Sequence, residues 1–94
     1  MIVIQKKVLV SGQVQGVGFR YSTIKQAQQL GLIGGYVKNL NDGRVEAVFQ
    51  GPADRVEALI TWCHSGPSGA SVDRVDVTNE AVSKHWDTIE IEYI

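Results

Sequence analysis

The stretch "GGYVKNLNDGRVEAVFQG", residues 34–51, lies in the middle of the sequence and has the pattern of a β-hairpin. Two β-rich runs, "GGYVKNL" and "RVEAVFQG", are joined by Asn41, Asp42 and Gly43. An Asp-Gly pair between two such runs is a strong signal for a hairpin turn. The centre of the chain is therefore predicted to form two neighbouring strands.

A strand and a helix are predicted ahead of this hairpin. Apolar residues alternate from Ile2 to Val14, which favours a strand over about 3–12. In "YSTIKQAQQL", residues 21–30, apolar residues recur every third position, which is helical spacing. Gly31 follows directly and is a typical residue at the end of a helix.

A second helix and two further strands are predicted after the hairpin. Pro52 is compatible with a first helical turn, and "ADRVEALITWCHS" follows it, ending before Gly66 and Pro67. Its apolar residues have the i, i+3, i+4, i+7 spacing of an amphipathic helix: Val56, Leu59, Ile60 and Cys63. "SVDRVDV" is β-branched, and "TIEIEYI" alternates strictly, with Ile89, Ile91 and Tyr93 on one side.

The order β-α-β-β-α-β, plus a last strand, describes two β-α-β halves with a hairpin between them. This is the split βαβ, or ferredoxin-like, arrangement of the α+β class. We expect an antiparallel sheet with two helices on one face, formed by residues 1–94 as a single domain. The fold alone indicates no function, because it carries many unrelated activities.

The composition of the chain excludes some classes of binding partner. The chain has 94 residues and a formal net charge of −1, so its overall charge does not attract nucleic acid or an anionic membrane. Its one cysteine, Cys63, excludes an intramolecular disulfide, and neither His64 nor His85 has a partner at metal-ligand spacing. The apolar run at the N-terminus is too short for a signal peptide. We expect a cytoplasmic monomer without cofactor or metal.

The glycine-rich stretch "SGQVQGVGFRY", residues 11–21, connects the first strand to the first helix. Gly16 and Gly18 allow successive N–H groups to point into one concavity at a helix N-terminus, which suits an anion. Arg20 adds a planar cation that can grip two phosphate oxygens. The stretch matches neither the dinucleotide fingerprint nor the P-loop. From these residues alone, a plain turn and an anion site both remain open.

Two motifs together resemble a known family. "GQVQGVGFR", residues 12–20, and "GYVKNLNDGRVEAVFQG", residues 35–51, resemble the paired signature of the acylphosphatases, and the likeness extends through "AQQLGL" and "SGPSGASVDRVDV". The resemblance implies a ferredoxin-like sandwich that hydrolyses the carboxyl–phosphate anhydride of acyl phosphates without a metal. The substrate would be a small-molecule acyl phosphate, and the product, inorganic phosphate, would be a competitive inhibitor.

The resemblance also implies roles for individual residues. Arg20 would bind the phosphate, Asn39 would orient the attacking water, and the substrate's own phosphate would accept the proton. The family's phosphate cradle falls on the backbone N–H groups of Gln15, Gly16, Val17, Gly18 and Phe19. One glycine more than usual, at Gly34 or Gly35, lengthens the interval between Arg20 and Asn39. We expect a local adjustment there to preserve the register of Asn39.

The same residues also bear on other functions that this fold carries. RNA-recognition domains share this fold, but the only aromatic residue in "RVEAVFQG" is Phe49, whose alternation with Val45 and Ala47 places it toward the core. A non-catalytic, ferredoxin-like anion- or small-molecule-binding module remains the alternative. Acylphosphatase-like domains also open some large carbamoyl-transferring maturation proteins, and the chain length favours a free-standing enzyme over that role.

Overall fold

A computed structural model describes residues 2–93 of the chain. Its elements are β1 (Val3–Gln13), α1 (Phe19–Leu30), β2 (Gly34–Asn39), β3 (Val45–Pro52), α2 (Ala53–Cys63), β4 (Ser71–Glu80) and β5 (Ile89–Glu92). The predicted order, two β-α-β halves around a hairpin followed by a last strand, is confirmed. The hairpin turn, residues 40–44, contains the predicted Asn41, Asp42 and Gly43.

The five strands form one sheet in the order β4-β1-β3-β2-β5. β1 is antiparallel to β3 and β4, and β2 is antiparallel to β3, as predicted. β5 instead pairs in parallel with β2, so the complete sheet is mixed. After β4, the chain crosses the end of the sheet, where the Trp86 N–H donates to Gln50 Oε1 at 2.9 Å. β5 therefore starts beside the beginning of β2 and has to run in the same direction.

The core lies between the sheet and the two helices. α1 packs against β2 and β5, whereas α2 packs against β1 and β3. Val45, Ala47 and Phe49 of β3 are buried in this core, as their alternation predicts. Cys63 is also a core residue, and its burial raises the pKa of its thiol to about 12, so the thiol stays protonated at neutral pH.

The helix-free face of the sheet carries a nearly buried carboxylate, Glu46, at its centre. Tyr36 donates its hydroxyl hydrogen to Glu46 Oε2 at 2.8 Å, and Lys7 Nζ and Lys38 Nζ lie 3.5 and 3.4 Å from the carboxylate oxygens. Burial acts to raise the pKa of Glu46, but the tyrosine hydrogen bond and the two lysine charges outweigh it, so the pKa lies below its ordinary value. Burial, together with the hydrogen bond to this carboxylate, raises the pKa of Tyr36.

This lowered pKa predicts a stability that depends on pH. Glu46 binds its proton more tightly in the unfolded chain than in the folded protein. The ionised Glu46 side chain therefore contributes its full stabilisation of the fold above the ordinary glutamate pKa, and this contribution is lost as pH falls through the folded-state pKa. We expect Glu46→Gln to lower the free energy of unfolding by about 1 kcal/mol at neutral pH and by less at about pH 3. Urea unfolding of parent and variant at both pH values measures this difference.

The matched control for this prediction is Glu57→Gln. Glu57 is exposed on α2, so its removal should change stability little at either pH. An equal loss for Glu46→Gln at neutral and acid pH would contradict the assigned role of its charge.

Candidate active site

The glycine loop, residues 14–18, and the end of β2 lie at the same end of the sheet. β1 and β2 are both antiparallel to β3, so they run in the same direction and their C-terminal ends meet at one edge. β1 is followed by the glycine loop, and β2 ends at Asn39. The topology therefore brings the two sequence motifs together.

Two glycines of the loop, Gly16 and Gly18, have a left-handed backbone conformation. Gly16 and Gly18 have φ angles of 75° and 78°, in the left-handed region that residues with a side chain disfavour. A Cβ atom at either position would meet no atom within 4 Å, so backbone conformation rather than space favours glycine there. Gly18 directly precedes α1, whose first turn contains no acidic residue.

Within residues 2–93, no backbone hydrogen bond uses the N–H groups of residues 15–19 as donors. The N-terminus of α1 adds its unpaired amides and the positive end of its dipole at the same place. The sequence-predicted cradle of Gln15, Gly16, Val17, Gly18 and Phe19 thus offers donors for an anion.

Arg20 and Asn39 are brought to one cavity by the fold. The cavity has a volume of about 120 Å³, and its lining includes Arg20, Asn39, Gly16 and Gly18. A neighbouring cavity of about 350 Å³ also contains Arg20 and Asn39 in its lining. Within the described part of the chain, Arg20 forms no ion pair, and its guanidinium carbon lies 5.4 Å from the centre of the Tyr93 ring. Its charge is therefore available to a ligand.

Asn39 carries an unsatisfied polar atom. Its backbone pairs with Val45 at the end of the β2–β3 ladder. Its side-chain Oδ1 is buried and has no hydrogen-bond partner within residues 2–93. A buried acceptor without a partner costs about 1–3 kcal/mol, and such groups in native proteins call for an explanation. A ligand or water that completes this hydrogen bond supplies one.

The two glycines ahead of Asn39 do not disturb its register. β2 pairs with β3 without a shift from Gly34 to Asn39. A Cβ atom at Gly34 would lie 2.2 Å from the Trp86 carbonyl oxygen, and one at Gly35 would lie 1.8 Å from the Val48 carbonyl oxygen. The backbone is irregular before the strand, at Leu32, which has a φ of 63°, and within it, at Gly35, which has a φ of 138°. Close backbone approaches therefore require both glycines, and at Gly35 the positive φ favours glycine as well.

Two features of the site were missed by reasoning from the sequence. Tyr93 lies beside Arg20 and is 78% exposed, although its alternation with Ile89 and Ile91 suggested a shared face. The side chain of Gln15, considered only for its backbone N–H, reaches the hairpin turn. No local pattern signals either contact, because each joins segments that are distant in sequence.

The two histidines do not contribute to this site. His64 Nδ1 lies 3.1 Å from the Ile60 carbonyl oxygen at the end of α2, and His85 pairs with Asp87 at 2.9 Å on an exposed loop. Across residues 2–93, no three His, Cys, Asp or Glu side chains are grouped so that they could hold a metal ion. In the same range, no helix has the length and hydrophobicity needed to cross a bilayer.

Comparison with known proteins gives a consistent result. The family model described as Acylphosphatase matches residues 6–91. Over 77 residues, the chain is 58% identical to the acylphosphatase of Trichormus variabilis, covering 82% of this chain and 75% of the relative. It is 46% identical over 86 residues to the acylphosphatase of Geobacter sulfurreducens, covering 92% and 93%.

The fold agrees with that of a solved relative. The structure matches an acylphosphatase from Coxiella burnetii with a TM-score of 0.90 and 37% sequence identity, covering 96% of this chain and 93% of that one. These relatives are named for an enzyme activity, so the binding-module alternative is not favoured. The chain belongs to the acylphosphatase family, the hydrolases of acyl phosphates.

Proposed function

We propose that this hydrolase binds the phosphate of its substrate in the glycine loop and catalyses its transfer to water with Arg20 and Asn39. The observation that carries the proposal is the meeting of three features at one cavity: left-handed glycines, an arginine without an ion pair and an asparagine whose buried acceptor lacks a partner, both judged over residues 2–93. The amides of residues 15–19 and the Arg20 guanidinium together suit the oxygens of a phosphoryl group.

The proposed chemistry needs positioning and charge stabilisation more than a strong base. Water attacks phosphorus, a new P–O bond forms, and the bond between phosphorus and the acyl oxygen breaks, so that a carboxylate leaves. A carboxylate is a good leaving group and needs little protonation. The amides and Arg20 stabilise charge on the transferring group, while Asn39 holds the water in line.

The proton of the attacking water passes to an oxygen of the phosphate in this proposal. Among residues 2–93, the side chains that line the 120 Å³ cavity include no histidine or carboxylate, whereas the neighbouring cavity of about 350 Å³ is lined by Glu92 as well as by Arg20 and Asn39. In this proposal the substrate itself supplies the acceptor that a general base supplies in many other hydrolases.

Hydrolysis of benzoyl phosphate tests this function directly. This simple aryl acyl phosphate carries the anhydride bond, and loss of its absorbance follows the reaction. We expect the parent protein to accelerate hydrolysis in the presence of a metal chelator. A rate equal to that in buffer would contradict the proposal.

Inorganic phosphate is expected to inhibit competitively, because product and substrate share the same amides and Arg20. Added phosphate should raise the KM for benzoyl phosphate and leave kcat unchanged. Sulfate, a tetrahedral dianion, should act in the same way, whereas chloride at equal ionic strength serves as the control. A fall in kcat at constant KM would place phosphate elsewhere on the protein.

We also propose that the 94 residues act as one catalytic domain, as a monomer in the cytoplasm. The formal net charge is only −1, and the single cysteine is buried, so that it is not available for a disulfide between chains. Sedimentation equilibrium measures the mass directly, and a dimer mass would contradict the monomer.

A further inference from the structure

The side chain of Gln15 connects the glycine loop to the hairpin turn. Its amide nitrogen, Nε2, donates to the carbonyl oxygen of Leu40 at 2.7 Å and to that of Arg44 at 2.9 Å. An amide group has two hydrogens, so both donors of Gln15 are used on this turn. The side chain is half-buried, which limits competition from water.

These two carbonyl groups lie at the base of the turn that directly follows Asn39. The Arg44 carbonyl oxygen also accepts a hydrogen bond from the Leu40 N–H at 2.8 Å, which closes the turn. β5 pairs with β2 only as far as Lys38, whereas β3 pairs with Asn39 itself. Asn39 is thus held by a neighbouring strand on one side only.

Gln15 supplies the side-chain hydrogen bonds between the glycine loop and the hairpin turn. Within residues 2–93, its two bonds are the side-chain hydrogen bonds that join residues 14–18 to residues 40–44. We infer that Gln15 is a positioning residue, whose side chain sets the distance between the phosphate in the glycine loop and the water held by Asn39. This inference rests on the proposed function of the loop and of Asn39.

Gln15 can affect the reaction because the groups that react are held by two different parts of the fold. The glycine loop would hold phosphorus, and the end of β2 would hold the nucleophile. In-line attack requires a fixed separation, and a misplacement of about 1 Å can cost about 100-fold in rate. Loss of the Gln15 bonds should let the turn move relative to the loop, while the loop amides and Arg20 still bind phosphate.

The variant Gln15→Met tests the inference, because methionine has a similar length and no donor. We expect kcat for benzoyl phosphate to fall about 10- to 100-fold, while the inhibition constant of inorganic phosphate changes less than about 3-fold. Gln13→Met, an exposed glutamine two residues earlier, is the matched control and should keep parental kinetics. If Gln15→Met does not fold, Gln15→Leu removes the same donors.

A double-mutant cycle with Asn39→Ala separates positioning from a general structural effect. If Gln15 acts through Asn39, adding Gln15→Met to Asn39→Ala should lower kcat by less than about 3-fold further. Independent, multiplying effects would overturn the inference, as would a Gln15→Met variant with parental kcat or one whose phosphate affinity falls as much as its kcat. A parent that does not hydrolyse benzoyl phosphate would instead overturn the proposed function, and this inference with it.

Discussion

Arg20→Ala is expected to lower kcat/KM for benzoyl phosphate by about 100- to 1,000-fold, or about 3–4 kcal/mol in transition-state stabilisation. The side chain lies at the cavity that also contains the glycine loop, and within residues 2–93 it forms no ion pair. Its removal should therefore cost little folding stability and much binding of the phosphoryl group. Steady-state kinetics and urea unfolding of the same preparation separate these two effects.

Arg20→Lys refines this prediction. Lysine keeps the charge but loses the planar fork that contacts two phosphate oxygens at once, so it should restore only a small part of the activity. Arg74→Ala is the matched control, since Arg74 is exposed and pairs with Asp76 outside both cavities. If Arg20→Ala has parental kinetics, the proposed role of Arg20 is wrong, and the family assignment is unaffected.

Asn39→Ala is expected to lower kcat by about 100-fold and to leave the affinity for inorganic phosphate nearly unchanged. Asn39 would position the water rather than the phosphate, so its loss affects the transition state more than the bound ground state. The measurement is kcat together with the inhibition constant of phosphate. Arg20→Ala should weaken both quantities, and this contrast distinguishes the two roles.

The stability of Asn39→Ala gives an independent check. In the parent, Oδ1 of Asn39 is buried without a partner among the described residues, so its removal also removes an unsatisfied acceptor. We expect the variant to be as stable as the parent or slightly more stable. Functional sites commonly contain groups that lower folding stability but are needed for activity. Asn79→Ala, an exposed residue of β4, is the control. A large loss of stability with unchanged kcat would make Asn39 a structural residue.

Much of the fold followed from local patterns. The alternation in β1, the three-residue spacing in α1 and the apolar stripe of α2 each depend on which side of an element faces the core. The Asp-Gly turn fixed the hairpin, since few residues adopt the conformations that such a turn requires. These features predicted the element order and the burial of Phe49 and Cys63, which the structure confirms.

The candidate site was predicted less completely. The two motifs indicated Arg20, Asn39 and the loop amides as site residues. The topology brings the two motifs to one cavity because β1 and β2 run in the same direction. The roles of these residues remain predictions until the variants are measured. The contact of Tyr93 with Arg20 had no signal in the sequence, because it depends on where β5 ends.

The sequence by itself determined the order of the elements, the residues of the core and the position of the glycine loop, because these depend on periodicity and on backbone preferences within short segments. Only the tertiary structure decided that β5 runs parallel to β2, that the Gln15 side chain reaches the hairpin turn and that Asn39 Oδ1 is buried without a partner among the described residues. Each of these depends on the pairing register of segments far apart in the chain, and register is set by how all the strands pack together.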